Sequence, residues 1–491
     1  GGAVADEFDA VVVGSGPNGL VAALELAQTG WRVLVLERSD TLGGGARTAE
    51  LTLPGFRHDV CSAIHPLGLA SPALRDLGLE KVGVEWVQPD APLAHALRPG
   101  HSVLQERSLA ATAVGLGVDG RPWERLFGPS VGSGLDLVDS LLDPLDLPPR
   151  HPVQLARYGM SGLWSVSALA RRRFRGDDGP ALLAGLAGHS MLSLDAPITT
   201  GFGMLLGQLA HVVGWPMARG GSQAIADGLV ALIRALGGTV LTGEEVRSLD
   251  DLPPARAVIC DVTPRQLIDI AGDRLPSAYR RRLERYRYGP GVFKVDWALD
   301  GPVPWIDPRT ARAGTVHLGG TLAEVRASEE DVVSGRVPQV PFLLLAQQSN
   351  FDPDRAPRVG TPPGPTATSP TAPPSTPWTR SSPTSSASPP AFARPSSAAG
   401  SATPPRWSAT TPTTSAATST AASPISGNCS SARSPASTPT RPRPATSSSA
   451  RRRRRPGAGC TACADGPPPD RCCAANPSDP RLPQHPPQPV L

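Results

Sequence analysis

The chain has 491 residues, with 47 Lys and Arg against 43 Asp and Glu, and its net charge of +4 gives no electrostatic case for nucleic acid or an acidic substrate. That length admits two or three domains with a sizeable core, and no apolar run approaches the roughly 20 residues a membrane-spanning helix needs. The first seven residues are small and acidic and do not read as a leader, so the expectation is a cytoplasmic protein whose Cys61 and Cys260 are reduced thiols.

The most informative stretch is 8–48. An apolar strand over 9–13 runs into Gly14-Ser15-Gly16-Pro17-Asn18-Gly19, after which Leu20, Ala23, Leu24 and Ala27 recur at helical spacing. A second buried strand over 31–36 ends on Glu37, with Arg38 beside it, where a dinucleotide-binding βαβ unit carries its ribose acid. In such a unit Gly14 permits the turn, Gly16 lets backbone approach a pyrophosphate, Gly19 lets helix and strand pack, and the helix N-terminus offers free N–H groups. Glu37 would accept from ribose hydroxyls and repel a 2′-phosphate, which argues against NADP.

Leu42-Gly43-Gly44-Gly45-Ala46-Arg47-Thr48 then resembles the GGxxR[ST] element of the flavoproteins that include amine oxidases and carotenoid (phytoene) desaturases. The resemblance implies that Gly43 and Gly44 pass beside the FAD pyrophosphate and that Arg47 contacts the cofactor. Phe56-Arg57-His58-Asp59 is similar to the following segment, where the chain returns beneath the flavin.

Residues 51–216 read as mainly helical. Pro152 opens one helix whose apolar positions run from Val153 and Leu155 through Leu163, Val166 and Leu169 to the basic cluster 171–175. That cluster is either a solvated helix end or a contact for anionic lipid headgroups. Residues 180–215 hold two small-residue-rich helical patterns with His189, Ser190 and His211 among apolar neighbours; none is named as catalytic.

Met217-Ala218-Arg219-Gly220-Gly221-Ser222-Gln223 opens a helix over 224–236, closed by Gly237 and Gly238, with strands expected at 239–241 and at Val246. This resembles the family's second signature, and Val246 matches the strand position whose backbone meets the FAD adenine. A simple glycine turn is the other reading of Gly220 and Gly221. An apolar strand over 257–260, ending in Asp261, is similar to the family's return into the FAD domain. A basic helix over 279–288, an alternating strand over 292–298 and a last strand over 342–346 follow. Lys294, one of two lysines, is either a solvated strand residue or a group that holds water beside a flavin.

The resemblance implies an α/β FAD-dependent oxidoreductase: a Rossmann-like FAD-binding domain of discontinuous segments (7–75 and 215–275) and an α+β substrate domain (76–214, mainly helical, and 276–357, strands). Its substrate would be a small apolar molecule losing hydride, or an amine if the amine-oxidase branch is nearer; a FAD-binding protein without turnover is a further alternative. No metal site is expected.

From about residue 358 the texture changes: Pro, Ser, Thr, Ala and Arg dominate, and Asp465, Asp470 and Asp479 are the only acids. The expectation is a disordered tail, either a real interaction segment or the product of a frameshift. Joining the last base of each codon to the first two of the next lets 362–375, 411–423 and 456–464 encode, in order, segments that resemble the C-terminal part of bacterial phytoene-desaturase-like oxidoreductases. That reading places a single-base shift between Phe351 and Pro362 and makes Cys460, Cys463, Cys472 and Cys473 incidental rather than zinc ligands.

Overall fold

The computed structural model describes residues 8–144, 148–357 and 366–371. The strands, in chain order, are β1 (Phe8–Val13), β2 (Val33–Glu37), β3 (Thr48–Glu50), β4 (Arg57–Asp59), β5 (Trp86–Val87), β6 (Ala91–Arg98), β7 (His101–Gln105), β8 (Met217–Ala218), β9 (Thr239–Thr242), β10 (Ala255–Cys260), β11 (Phe293–Ala298), β12 (Ala313–Leu318), β13 (Leu343–Ala346) and β14 (Thr366–Thr371). The fold is mixed α/β, and its two larger sheets have four and six strands.

The four-stranded sheet runs β10-β1-β2-β9 with every neighbour parallel. Parallel neighbours need a crossover, and the helix Pro17–Gln28 supplies the one from β1 to β2. Alternate residues of β1 and β2 feed two cores. Ala10, Val12, Val33 and Val35 meet Leu20, Ala23 and Leu24 of that helix and Ile225, Leu229 and Ile233 of the helix Gln223–Ala235. Val11, Val13, Leu34 and Leu36 pack on the opposite face with Ile270. Burial on both faces explains why β1 and β2 read as unbroken apolar runs.

The six-stranded sheet runs β11-β14-β13-β12-β6-β7, with β12 parallel to β6 and the other pairs antiparallel. The helix Asp178–Gly188 packs in the core beside it and buries ten consecutive residues from Gly179 onward. Trp123 and Phe127, stacked at 4.3 Å, belong to the same cluster.

The structure corrects several expectations. Residues 51–216 are mainly helical, but they also contain an unexpected hairpin, β6 and β7, turned at Pro99-Gly100 with Gly100 at φ 75°. The helix from Pro152 is not single. It stops at Gly162, and Ser165, whose Oγ accepts from the Ala168 N–H, starts a second one, Val166–Arg173. Val246 lies in a loop after β9, not in a strand. Of the tail from residue 358, only 366–371 lie among the described residues, and they form β14 between β11 and β13. Its Thr residues suit a strand, while Pro370, opposite Lys294, brings no N–H to the ladder. The shifted-frame segments over 411–423 and 456–464 and the four tail cysteines lie outside the described residues, as does most of the segment over 362–375. No helix among the described residues is long and apolar enough to cross a membrane.

Candidate dinucleotide-binding site

The glycine turn sits where the order of the four-stranded sheet switches, at the carboxyl end of β1 between β2 and β10. Gly14 N–H donates to Leu36 O and Asp261 N–H donates to Val13 O, both at 2.9 Å, so the chain leaves the sheet with its neighbours still paired. Open parallel sheets bind ligands in the crevice at such a point. Gly14 turns at φ 103°, and a Cβ there would meet Asp261 O at 2.6 Å. Gly19 lies so close to the strand that a Cβ would sit 2.5 Å from Gly14 O. Pro17 occupies the first turn of the helix, where its missing N–H costs nothing, and N-cap Gly16 brings no capping side chain. Asn18 is part of the same first turn and is exposed.

Glu37 organises the turn. Its Oε2 accepts from Ser15 N–H at 3.0 Å and Ser15 Oγ at 2.7 Å, and its Oε1 accepts from Ser39 N–H at 2.9 Å. Burial opposes its charge, but the hydrogen bonds from Ser39 and Ser15 outweigh it and hold the carboxyl below its usual range. Ser15 passes the constraint on: Gly43 N–H donates to both Ser15 O and Ser15 Oγ at 3.1 Å. Gly44 then lies against Gly16, and a Cβ on Gly44 would stand 2.9 Å from Gly16 Cα. The Gly43-Gly44 loop is thereby fastened onto the glycine turn. Arg47 braces this loop through Nε to Gly44 O at 2.8 Å, whereas Arg38 makes no hydrogen bond within the turn or the loop. Val246 follows a stretch tied to the end of β2 by Glu244 N–H to Glu37 O at 2.9 Å.

Two features are not legible from spacing. Asp261, the residue after β10, caps the same helix end, its Oδ2 accepting from Gly19 N–H at 2.9 Å. Burial pushes its carboxyl up, the Gly19 bond pulls the other way, and the Glu37 charge adds to the rise. The second feature is a buried ion network. Arg355 donates from Nη1 to Asp59 Oδ2 at 2.8 Å, from Nε to Asp352 Oδ2 at 2.9 Å and from Nη2 to Ala218 O at 3.2 Å, and all three charged residues are 0 % exposed. Asp59 Oδ1 also accepts from Ser222 N–H and Thr48 Oγ1, and Asp352 Oδ2 accepts from Gly220 N–H at 2.6 Å. Gly220 and Gly221 are therefore more than a simple turn. They stand at φ 73° and 129°, and a Cβ on Gly221 would run into Thr48 Oγ1 at 2.2 Å. His65 completes the knot. Ser222 Oγ donates to Ser62 O at 2.6 Å and so accepts from His65 Nε2 at 2.8 Å, while burial takes His65 down to about 4.

Lys294 is not solvated. Its Nζ lies 2.6 Å from Asp296 Oδ2, and Asp296 Oδ1 lies 3.5 Å from His58 Nδ1. Burial raises the Cys61 thiol while the charges of Lys294 and Arg47 lower it, which puts both cations near the segment after the Gly43-Gly44 loop. His211 is a satisfied core histidine, with Nδ1 at 3.2 Å from Arg107 O. His189 Nε2 meets His317 Nε2 at 3.0 Å.

A parallel sheet, a glycine turn at its switch point, and an acid ending the second strand define a Rossmann-type dinucleotide-binding fold. Residues 12–77 match the family model described as NAD(P)-binding Rossmann-like domain, in agreement with that geometry. The chain is 28% identical over 437 residues to mouse (Mus musculus) pyridine nucleotide-disulfide oxidoreductase domain-containing protein 2, covering 72% of each. Over 97 residues, 20% of this chain and 17% of the relative, it is 36% identical to a limonene dehydrogenase polypeptide of Castellaniella defragrans. Among solved structures, the PF1083 protein of Pyrococcus furiosus superposes with a TM-score of 0.48 at 18% identity, covering 74% of this chain and 79% of that one.

Proposed function

We propose that the chain is a FAD-dependent oxidoreductase that removes hydride from a small apolar substrate. The observation that carries this reading is the fastening of the Gly43-Gly44 loop onto the Gly14–Gly19 turn through Ser15 and Glu37. The residues present fit the cofactor. Gly16 brings no side chain to the helix end where a diphosphate would pass and whose dipole favours it. Glu37 Oε2 already accepts two bonds, so Oε1, with one, has room for a single ribose hydroxyl. FAD, when bound, supplies the hydride acceptor. Arg47 fixes the loop beside the diphosphate, and the chain's remaining task is to hold substrate against the ring and exclude water. The apolar substrate is supported by the resemblance to carotenoid desaturases and by the short similarity to a protein named as a limonene dehydrogenase.

The test is anaerobic. Protein loaded with FAD is mixed with a polyene or terpene on one side and a primary amine on the other, and the oxidised flavin absorbance is followed. Bleaching by the hydrocarbon supports the proposal, bleaching by the amine alone moves the chain to the amine-oxidase branch, and a bound flavin bleached by neither marks a binding protein without turnover.

A further inference from the structure

Val153, Arg157 and Met160 of the helix Pro152–Gly162 recur at the spacing of one helical face, and all three are exposed. Leu163 and Trp164 continue the ridge past the helix end, and Ile198 joins it from a different part of the chain. Ile198 N–H donates to Leu163 O, and Thr200 N–H donates to Trp164 O, both at 3.2 Å. The large apolar residues of this tip face solvent: Met160 is 69% exposed, Leu163 66%, Ile198 53% and Trp164 42%. Ile198 also stands at φ 75°, a conformation that a β-branched residue rarely takes. Backbone held in such a region at an exposed apolar tip is the kind of strain found at binding sites.

The charge around the tip is one-sided. Residues 148–176 contain six arginines and no Asp or Glu. Arg157, Arg171, Arg172, Arg173 and Arg175 are exposed, and Arg172 lies over the Trp164 ring at 5.8 Å. Three acids border the cluster: Asp177, which is exposed, Asp178, which faces His101 Nε2 at 3.0 Å, and Asp195, which feels the Arg171 charge and accepts from Arg326 Nε at 2.6 Å.

We propose that this tip docks on an anionic lipid surface, with Met160, Leu163, Trp164 and Ile198 entering the acyl boundary and the arginines meeting the headgroups. Protruding apolar side chains fit a bilayer better than a nucleic-acid backbone, and a single sign of charge disfavours pairing with a second copy of the same patch. The docking does not depend on which cofactor the glycine turn holds.

The experiment is flotation of the full chain with vesicles of phosphatidylcholine alone or mixed with phosphatidylglycerol, at low and high salt. Binding is expected only with phosphatidylglycerol, weakened by salt. It is expected to fall at least tenfold in Ile198→Asn and in the pair Arg172→Glu with Arg173→Glu. Asn tolerates the left-handed backbone better than Ile, so Ile198→Asn should melt no lower than the parent, which separates lost docking from lost folding. The proposal is overturned if the parent does not float, if either variant floats as well as the parent, or if sedimentation shows a self-associated parent that Ile198→Asn converts to monomer.

Discussion

Arg355→Met is the most informative single change. It deletes the guanidinium that hydrogen-bonds two carboxylates that are 0 % exposed, Asp59 and Asp352, while keeping much of the side-chain volume. Breaking a buried pair from one side costs about 3–5 kcal/mol, because the remaining charge is left in a poor solvent. A loss of about 4 kcal/mol corresponds to a fall of roughly 5–10 °C in melting temperature for a chain of this size. The sign with pH is fixed as well. In the parent, burial opposes the Asp59 charge but Arg355 prevails and holds its carboxyl low, so that contribution is present above the ordinary carboxylate range and lost as pH falls through the folded value. In Arg355→Met the Asp59 carboxyl loses that partner and burial pushes it up instead, so the deficit should be larger at pH 7 than at pH 5. Thermal melts at both pH values check this, together with the triple variant Asp59→Asn, Asp352→Asn, Arg355→Met. Removing all three charges should recover much of the loss. A single variant that melts within a degree of the parent, or a triple variant no more stable than the single, refutes the reasoning.

Other consequences are simpler to state. His95 is 0 % exposed, donates from Nε2 to Gly320 O at 2.7 Å, and burial takes it down to about 4. The unfolded chain therefore binds the extra proton between about pH 6.5 and 4, and as pH falls through that window His95 contributes a loss of up to about 3 kcal/mol beside those of His65 and His189, read as the difference between parent and His95→Gln in urea midpoints at pH 7 and pH 4.5. Asp261→Asn keeps an acceptor for Gly19 N–H but removes a negative charge from the helix end, so FAD affinity measured by flavin fluorescence should rise, and most at high pH. The pairing of β14 between β11 and β13 in the frame as written counts against the shift expected between Phe351 and Pro362. Resequencing the DNA that encodes residues 351–362 decides the matter: one missing or added base would establish the shift, and an unchanged sequence would return the tail to the status of a genuine segment. If the shift is real, FAD affinity of the chain as written should be well below that of the frame-restored protein.

The parts of this fold that can be read in advance are those where one local pattern decides. β1, the turn and β2 combine apolar runs, glycines at fixed offsets and an acid at the strand end, and each falls within one or two residues of its expected place. The helix Gln223–Ala235 is equally legible from its closing glycines. β6 is not, because seven of its eight residues are buried, so no alternation marks it as a strand. Arg355 is hidden for a different reason. An arginine followed by Ala-Pro looks like a solvated loop charge, and its partner Asp59 lies 296 residues away. Likewise Glu37 falls at its expected place, yet its grip on Ser15 and Ser39 depends on side-chain directions that spacing does not encode.

The central claim is that the turn of residues 14–19 and the loop of residues 43–44 form one FAD cradle. Its most direct measurement is a titration of the purified chain and of Gly44→Val with FAD and with NADP, each variant first shown to keep its far-ultraviolet circular dichroism. A valine Cβ at position 44 would press on Gly16 Cα from 2.9 Å. The account predicts saturable one-to-one FAD binding by the parent, its loss in Gly44→Val, and no saturable NADP binding by either. A parent that fails to bind FAD, or a valine variant that binds it equally well, would contradict the account.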